Sequence, residues 1–293
     1  MNAISAPPTI SSQASSTTPS VSVGLRTARM LAQREWIRFF RQPFRVIAAL
    51  GQPILFWILF GTGLHGAFRG PVPQENFMGY FLPGATALIL LFTAIFATIT
   101  IIEDRREGFL QGVLVAPPGR WAIVLGKTFG CAAIAWAQAV FFLGLAWCTG
   151  AFAMGWHLIP LLVFLFVASL GLAGLGVLCA WPMDSTQSYH AFMNLVLLPM
   201  WLMSGAFFPI PSGNPEQPLG QLALHWIMKL NPMTYVVGGL RHYLAAGQET
   251  APVSSSFWSV GLAECWWTSA VFAGLAFVLA LWIVQRKQRG EFQ

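Results

Sequence analysis

The sequence predicts an all-α polytopic membrane protein, and two features of composition and one of pattern predict it. Hydrophobic residues make up 56% of the 293 and charged residues only 9%, against roughly 25% charged in a typical soluble domain. Six apolar segments, at about 46–64, 80–102, 122–148, 158–181, 191–208 and 263–284, are each long enough to cross a bilayer, the fifth near the lower limit. They leave no room for a sizeable soluble domain. The net charge of +6 does not point to nucleic acid, because the basic residues sort by membrane side rather than cluster on one soluble face.

Residues 1–23 are rich in Ser, Thr, Pro and Ala with no apolar core. They read as a disordered cytoplasmic tail rather than a signal peptide. Next, Arg34, Arg38 and Arg41 recur at helical spacing with Trp36, Ile37 and Phe40 on the other side. That pattern is a basic amphipathic helix at the cytoplasmic interface, its arginines directed to anionic lipid or to an acidic partner. Pro43 disfavours helix at Gln42 and marks an elbow before the first span. Pro53, Pro83, Pro160 and Pro199 fall within or near span starts or interiors, where neighbours or water satisfy the freed carbonyls.

Orientation follows from Lys and Arg. Thirteen of the sixteen fall before the first span, between the second and third spans, just inside the third (Lys127), or after the last. Arg69, Lys229 and Arg241 form the minority on the other side. Both termini and the second connection are therefore expected in the cytoplasm, and an even number of spans preserves the separation.

That second connection holds the densest charge: Glu103, Asp104, Arg105, Arg106 and Glu107, then Gly108 and Phe109. Residues 85–102 before it carry no ionisable group, and 123–148 after it carry only Lys127. A charge at the bilayer centre costs about 2.5–3.5 kcal/mol, so five together lie outside the lipid. A short charged loop tied to two spans is built to receive a push from a soluble partner. The plainer alternative is that these charges cap helices and sit in solvent. Lys127 reads as a cytoplasmic anchor snorkelling from its helix end.

Small residues gather on the fourth span, at Ser169, Gly171, Ala173, Gly174 and Gly176, a face for close helix packing of which a dimer seam is one version. Thr93, Thr98, Thr100, Gln138 and Asn194 suit interhelical hydrogen bonds or a lined pathway. About fifty residues separate the fifth and sixth spans. There Asn231-Pro232 is a helix-start signal, Asn as cap and Pro at the first helical position. Met233, Val236, Val237, Leu240 and Leu244 follow on one face, with Arg241 and His242 expected on the polar side. A dozen residues are too few to cross, so this is a re-entrant or interfacial helix on the outer face.

Several chemistries are excluded. Gly126-Lys127-Thr128 echoes a phosphate-binding loop, but Trp121 stands where that loop needs glycine. No HExxH occurs, and Leu202 precedes Ser204 where a nucleophile elbow needs glycine. Cys131, Cys148, Cys179 and Cys265 form no CxxC pair and read as small buried hydrophobes.

Four stretches in order carry a resemblance: Arg34-Glu35-Trp36 through Arg41-Gln42-Pro43; Gln52-Pro53 leading to Phe60-Gly61-Thr62-Gly63; Pro83-Gly84 through residues 103–109 to Gly126-Lys127; and Asn231-Pro232-Met233-Thr234-Tyr235 with Arg241. On these residues the chain resembles the membrane permease subunit of an ABC-2-type transporter, the group that includes bacterial drug, polysaccharide and lipo-oligosaccharide exporters. The resemblance implies one transmembrane domain over 24–293, with six spans, an elbow helix, a coupling helix after the second span and a re-entrant helix before the last. It also implies a bacterial inner-membrane location, and pairing with an ABC ATPase and with a second permease copy or a paralogue. This chain would hold no cofactor, ATP and magnesium belonging to the ATPase. Carried over by position, Glu103, Asp104, Arg105, Glu107, Gly108 and Phe109 form or flank the coupling contact, and Arg34, Glu35 and Arg41 support it. The alternative from another class is a non-transporting membrane protein, a scaffold or an intramembrane enzyme.

Overall fold

The computed structural model describes residues 21–63, 77–115, 119–152, 155–245 and 258–286. These form eleven α-helices: α1 Val21–Phe40, α2 Pro43–Gly63, α3 Phe77–Ala97, α4 Ile99–Arg106, α5 Phe109–Val115, α6 Arg120–Cys148, α7 Leu158–Ala180, α8 Thr186–Trp201, α9 Leu219–Leu230, α10 Pro232–Leu244 and α11 Leu262–Arg286. A π-helical turn, Leu202–Ala206, closes α8, and no β-strand occurs among the described residues. The all-helical expectation therefore holds. Four helices are long and apolar enough to cross a bilayer: Gly79–Arg106, Arg120–Cys148, Leu158–Ala180 and Leu262–Arg286. The expected first span is α2, with a shorter apolar stretch at Ala49–Leu59. The expected fifth is α8 with its π turn, residues 207–208 lying beyond it.

Three boundaries differ from expectation. Residues 21–23, assigned to the tail, are the first turn of α1, which continues the stripe Gly24, Ala28, Leu31, Glu35 and Phe39 that the helix buries; residues 1–20 lie outside the described residues. The second span does not end at residue 102 but runs on, past a break at Thr98, to Arg106. The charged run is thus mostly helix, and the turn is confined to Glu107 and Gly108, where Gly108 has φ +75°. Finally, α9 was not anticipated. It precedes α10 directly, so among the described residues the segment between α8 and α11 holds a pair of short helices rather than one.

At the centre, α3 is buried along nearly all its length by its neighbours. The small residues of α7 serve contacts within the chain: a Cβ on Gly171 would meet Phe272, one on Gly174 would meet Ala276 of α11, and one on Gly176 would meet Thr98. Tyr189 of α8 reaches the break at Thr98, its hydroxyl 2.6 Å from Thr98 Oγ1 and 3.2 Å from the Gly176 carbonyl. Thr93 donates to Gln138 Oε1 at 2.5 Å. These polar side chains act as interhelical bonds, each more useful in a medium without water than at a surface, while Asn194 is exposed.

Between α8 and α11, Asn231 caps α10 as the sequence indicates, its Oδ1 accepting from Met233 N at 3.0 Å. Its Nδ2 also donates to the Met200 and Met203 carbonyls freed by the π turn. Met233, Val236, Val237, Leu240 and Leu244 are buried. Arg241 departs from expectation. Rather than a polar side, it faces the Tyr80 ring (4.4 Å from Cζ to centroid) and donates to the Gly205 carbonyl at 3.0 Å.

The closest helix approach is α1 on α6. A Cβ on Gly126 would lie 2.6 Å from the Ala28 carbonyl oxygen, and one on Gly130 would lie 3.0 Å from Ala32 Cα. Backbone cannot retreat as a side chain can, so overpacking here costs about 1–3 kcal/mol. Gly126→Ala is accordingly expected to lower the thermal midpoint of the detergent-solubilised chain by several degrees. Gly144→Ala, in the same helix with nothing within 4 Å of the new methyl, is expected to leave the midpoint unchanged or raise it slightly, since Ala is favoured over Gly in a helix by roughly 0.8–1.0 kcal/mol.

Candidate functional site: a buried ion cluster behind a charged turn

The close α1–α6 approach brings short acidic and long basic side chains together at one level. Glu35 of α1, Asp104 of α4 and Lys127 of α6 are all buried, with side-chain exposures of 1%, 0% and 2%. Lys127 Nζ donates to Glu35 Oε1 at 2.5 Å, and it also bonds Asp104 Oδ2 and Thr100 Oγ1. Thr100 Oγ1 donates to Glu35 Oε2 at 2.7 Å. Around this centre, Arg34 grips Asp104 with both terminal nitrogens, at 2.9 and 2.7 Å. Arg38 donates to Asp104 at 2.8 Å and to Glu103 at 2.9 Å, and reaches Glu107 at 3.4 Å.

Three cations (Arg34, Arg38, Lys127) thus meet three carboxylates (Glu35, Asp104, Glu103), with Glu107 at the edge. A bare buried charge costs several kcal/mol, and mutual compensation with full hydrogen bonding is what makes such a cluster tolerable. Hydrogen bonding to Asp104 raises the Arg34 pKa above its usual value, against an opposing effect of burial, so Arg34 stays charged.

The outward side of the cluster is the turn. Arg106, Glu107 and Gly108 are exposed, and Phe109 opens α5 with 36% exposure. The Arg34 guanidinium lies 3.9 Å over the Phe109 ring. On the opposite flank Arg105 donates to the Trp181 carbonyl at 2.6 Å and the Met183 carbonyl at 3.2 Å, and Arg106 Nε to the Asp184 carbonyl at 3.2 Å. The turn is therefore braced to α1 and α6 on one side and to the α7–α8 connection on the other.

The structure brings Glu103, Asp104, Arg105, Glu107, Phe109, Arg34 and Glu35 into one assembly, with Gly108 at its tip. Asn231, Pro232 and Arg241 form a separate group on α10 and its cap. Arg41 is exposed and makes no ion pair among the described residues. Two expectations are corrected. Lys127 does not snorkel; its ammonium is the buried centre of the cluster, because Glu35 and Asp104 reach it first. Arg34 and Arg38 turn to Asp104 and Glu103 rather than to lipid or partner, and Trp36, Ile37 and Phe40, 39–48% exposed, share the exposed face of α1 with Arg26, Arg29 and Gln33. Asp104 is likewise too buried to touch a partner and can only hold the turn from behind. Arg38, Lys127 and Thr100 were not singled out as site residues, although Lys127 stood as the lone ionisable group of 123–148. A lone charge in an apolar helix requires a partner.

Among the described residues no group of three His, Cys, Asp or Glu could hold a metal ion. The cluster offers no open nucleophile or acid–base pair; it ties α1, α4 and α6 together.

Fold and site together define a helical membrane protein with a rigidly braced, charged turn presented to one side. The family model for the ABC-2 type transporter matches residues 27–244, and the chain belongs to that family. It is 29% identical over 268 residues to a protein named as a transport permease, ycf38, of Cyanophora paradoxa, covering 85% of this chain and 86% of the relative. It is 25% identical over 174 residues to the linearmycin resistance permease protein LnrN of Bacillus subtilis (strain 168), 58% of this chain and 42% of the relative. A protein of Escherichia coli (strain K12) named as a multidrug ABC transporter permease, YbhR, is 22% identical over 163 residues, 55% and 43% of the two chains.

Removing one member of a buried ion pair costs about 3–5 kcal/mol. Lys127→Met is expected to lower the thermal midpoint of the purified chain strongly. The double variant Glu35→Gln, Lys127→Met is expected to recover part of that loss, as the non-additivity of a double-mutant cycle. Additive losses would mean that the two side chains are not coupled.

Proposed function

We propose that this chain is the membrane subunit of an exporter driven by a separate ABC ATPase. Family membership and permease-named relatives support a transporter subunit. The observation that carries the rest is the exposed turn at Arg106, Glu107, Gly108 and Phe109, backed directly by the buried ion cluster. ATP binding draws the ATPase subunits together and displaces this turn, and α4, α1 and α6 move with it. The chemistry stays with the partner, which holds ATP and magnesium; this chain converts motion into access.

In the same reading the chain crosses six times, through α2, α3 with α4, α6, α7, α8 with its π turn, and α11. Both termini are cytoplasmic, a reading that the distribution of Lys and Arg supports. α1 lies at the inner interface with its apolar face in lipid, and α9 and α10 re-enter from the outer side. A second copy or a paralogue completes the membrane half, in a bacterial inner membrane. The membrane unit begins with α1 at Val21.

The test is purification of the tagged chain in mild detergent from its native host, with identification of the soluble subunit that accompanies it. A P-loop ATPase is expected. Glu107→Lys removes an exposed charge-assisted contact, worth about 1.5–3 kcal/mol, so ATPase recovery and transport are expected to fall about tenfold or more. Gly108→Val forces a β-branched residue to positive φ and is expected to act in the same direction. Both variants should keep normal membrane levels. Normal ATPase recovery and transport from both would sink the coupling role of the turn.

A further inference from the structure

At the end of the molecule that carries the charged turn, the start of α6 meets the end of α11. Between them opens a cavity of about 390 Å³, lined by Arg120, Trp282, Gln285 and Arg286. Arg120 donates one terminal nitrogen to the Gln285 carbonyl at 3.1 Å. That bond ties the two helix ends together and covers part of the negative carboxyl end of α11. Arg286 lays its guanidinium 4.0 Å over the Trp282 ring, and a stacked guanidinium keeps the N–H donors of its edge free. Neither arginine pairs with a carboxylate among the described residues, and none lines the cavity. The contrast is with Arg34 and Arg38, whose nitrogens are taken by Asp104 and Glu103.

What lies beyond the cavity decides the kind of anion it suits. Trp282, Leu279, Val278 and Leu275 of α11 are 46–59% exposed, and their spacing sets them on one stripe leading away from the arginines. From Arg286 to Leu275 is about 16 Å along the helix, half of a hydrocarbon core about 30 Å thick. Of the four long apolar helices α11 is also the least buried. A free phosphate would use the arginines alone. A phospholipid uses the arginines for its head and the stripe for its chains, with Trp282 at the headgroup level between them.

We propose that Arg120 and Arg286, with the stripe from Trp282 to Leu275, form a site for one anionic phospholipid. Its phosphodiester accepts from the free N–H groups of both guanidiniums, whose planar forks suit that geometry. Basic pockets between membrane helices hold such heads in general. Two like charges sharing one cavity repel, and the anion between them removes that cost. A zwitterionic head brings its own ammonium to a cavity with two cations and no carboxylate, so it binds less well. The site is separate from the buried ion cluster and requires only that α11 lie in the bilayer.

The test is native mass spectrometry of the full chain in detergent, titrated with phosphatidylglycerol or with phosphatidylcholine. One saturable phosphatidylglycerol per chain is expected, bound about tenfold tighter than phosphatidylcholine. Arg286→Gln removes one charge-assisted contact and should weaken phosphatidylglycerol about tenfold at unchanged thermal midpoint. Arg120→Gln with Arg286→Gln should abolish the preference between heads. Arg29→Gln, which removes an exposed charge from α1, should leave binding unchanged. Equal losses from Arg29→Gln and Arg286→Gln would show diffuse attraction to a basic surface and overturn the proposal. So would displacement of the lipid by millimolar inorganic phosphate, which would make this a site for a free anion. Arg286→Gln that splits a dimer while lipid binding persists would put a second copy on the stripe, and would also overturn it.

Discussion

The end of the molecule that carries the charged turn depends on keeping Glu35, Asp104 and Lys127 together. None of the three is stable alone in that place, since each is buried and its charge requires the others. Their meeting in turn requires two glycines on α6, because Glu35 is short and α1 must lie almost against the α6 backbone. The arginines of α1 then complete the compensation of Asp104 and Glu103. Sequence, close packing and electrostatics converge on one mechanical result: three helices from distant parts of the chain share one charged centre.

This arrangement explains why the exposed turn is so short. Glu107 and Gly108 are all that is not helix between α4 and α5, and immediately behind them is a fully bonded carboxylate. A push on a flexible loop would be absorbed by the loop. A push on this turn reaches α1 through Arg34 and Arg38, α6 through Lys127, and the α7–α8 connection through Arg105. The segment before α11 is built differently: Asn231 and Arg241 tie α10 to carbonyls at the π turn, using neutral acceptors rather than charge pairs.

Much of the fold was legible because apolar length and Pro, Gly and Asn punctuation act locally. The N-cap at Asn231, the elbow at Pro43 and the buried stripe of α10 needed no tertiary information. The misreadings have a common cause. Lys127, Arg34, Arg38 and Arg241 were assigned to solvent, lipid or a partner, and each found its neighbour far along the chain. Charge periodicity shows which side of a helix is polar but not what stands opposite it. Likewise polar composition reads the charged run as a loop, whereas buried partners for Asp104 let the helix continue to Arg106.

The central claim is that α1, α4 and α6 move as one body when the turn is displaced. The most direct measurement is the distance between spin labels at Arg29 on α1 and Phe129 on α6, in the assembled transporter, through the nucleotide cycle. A control pair joins Arg29 to Leu195 on α8. The account predicts that the α1–α6 distance keeps one narrow peak in every nucleotide state while the α1–α8 distance shifts. An α1–α6 distance that moves with nucleotide would contradict it.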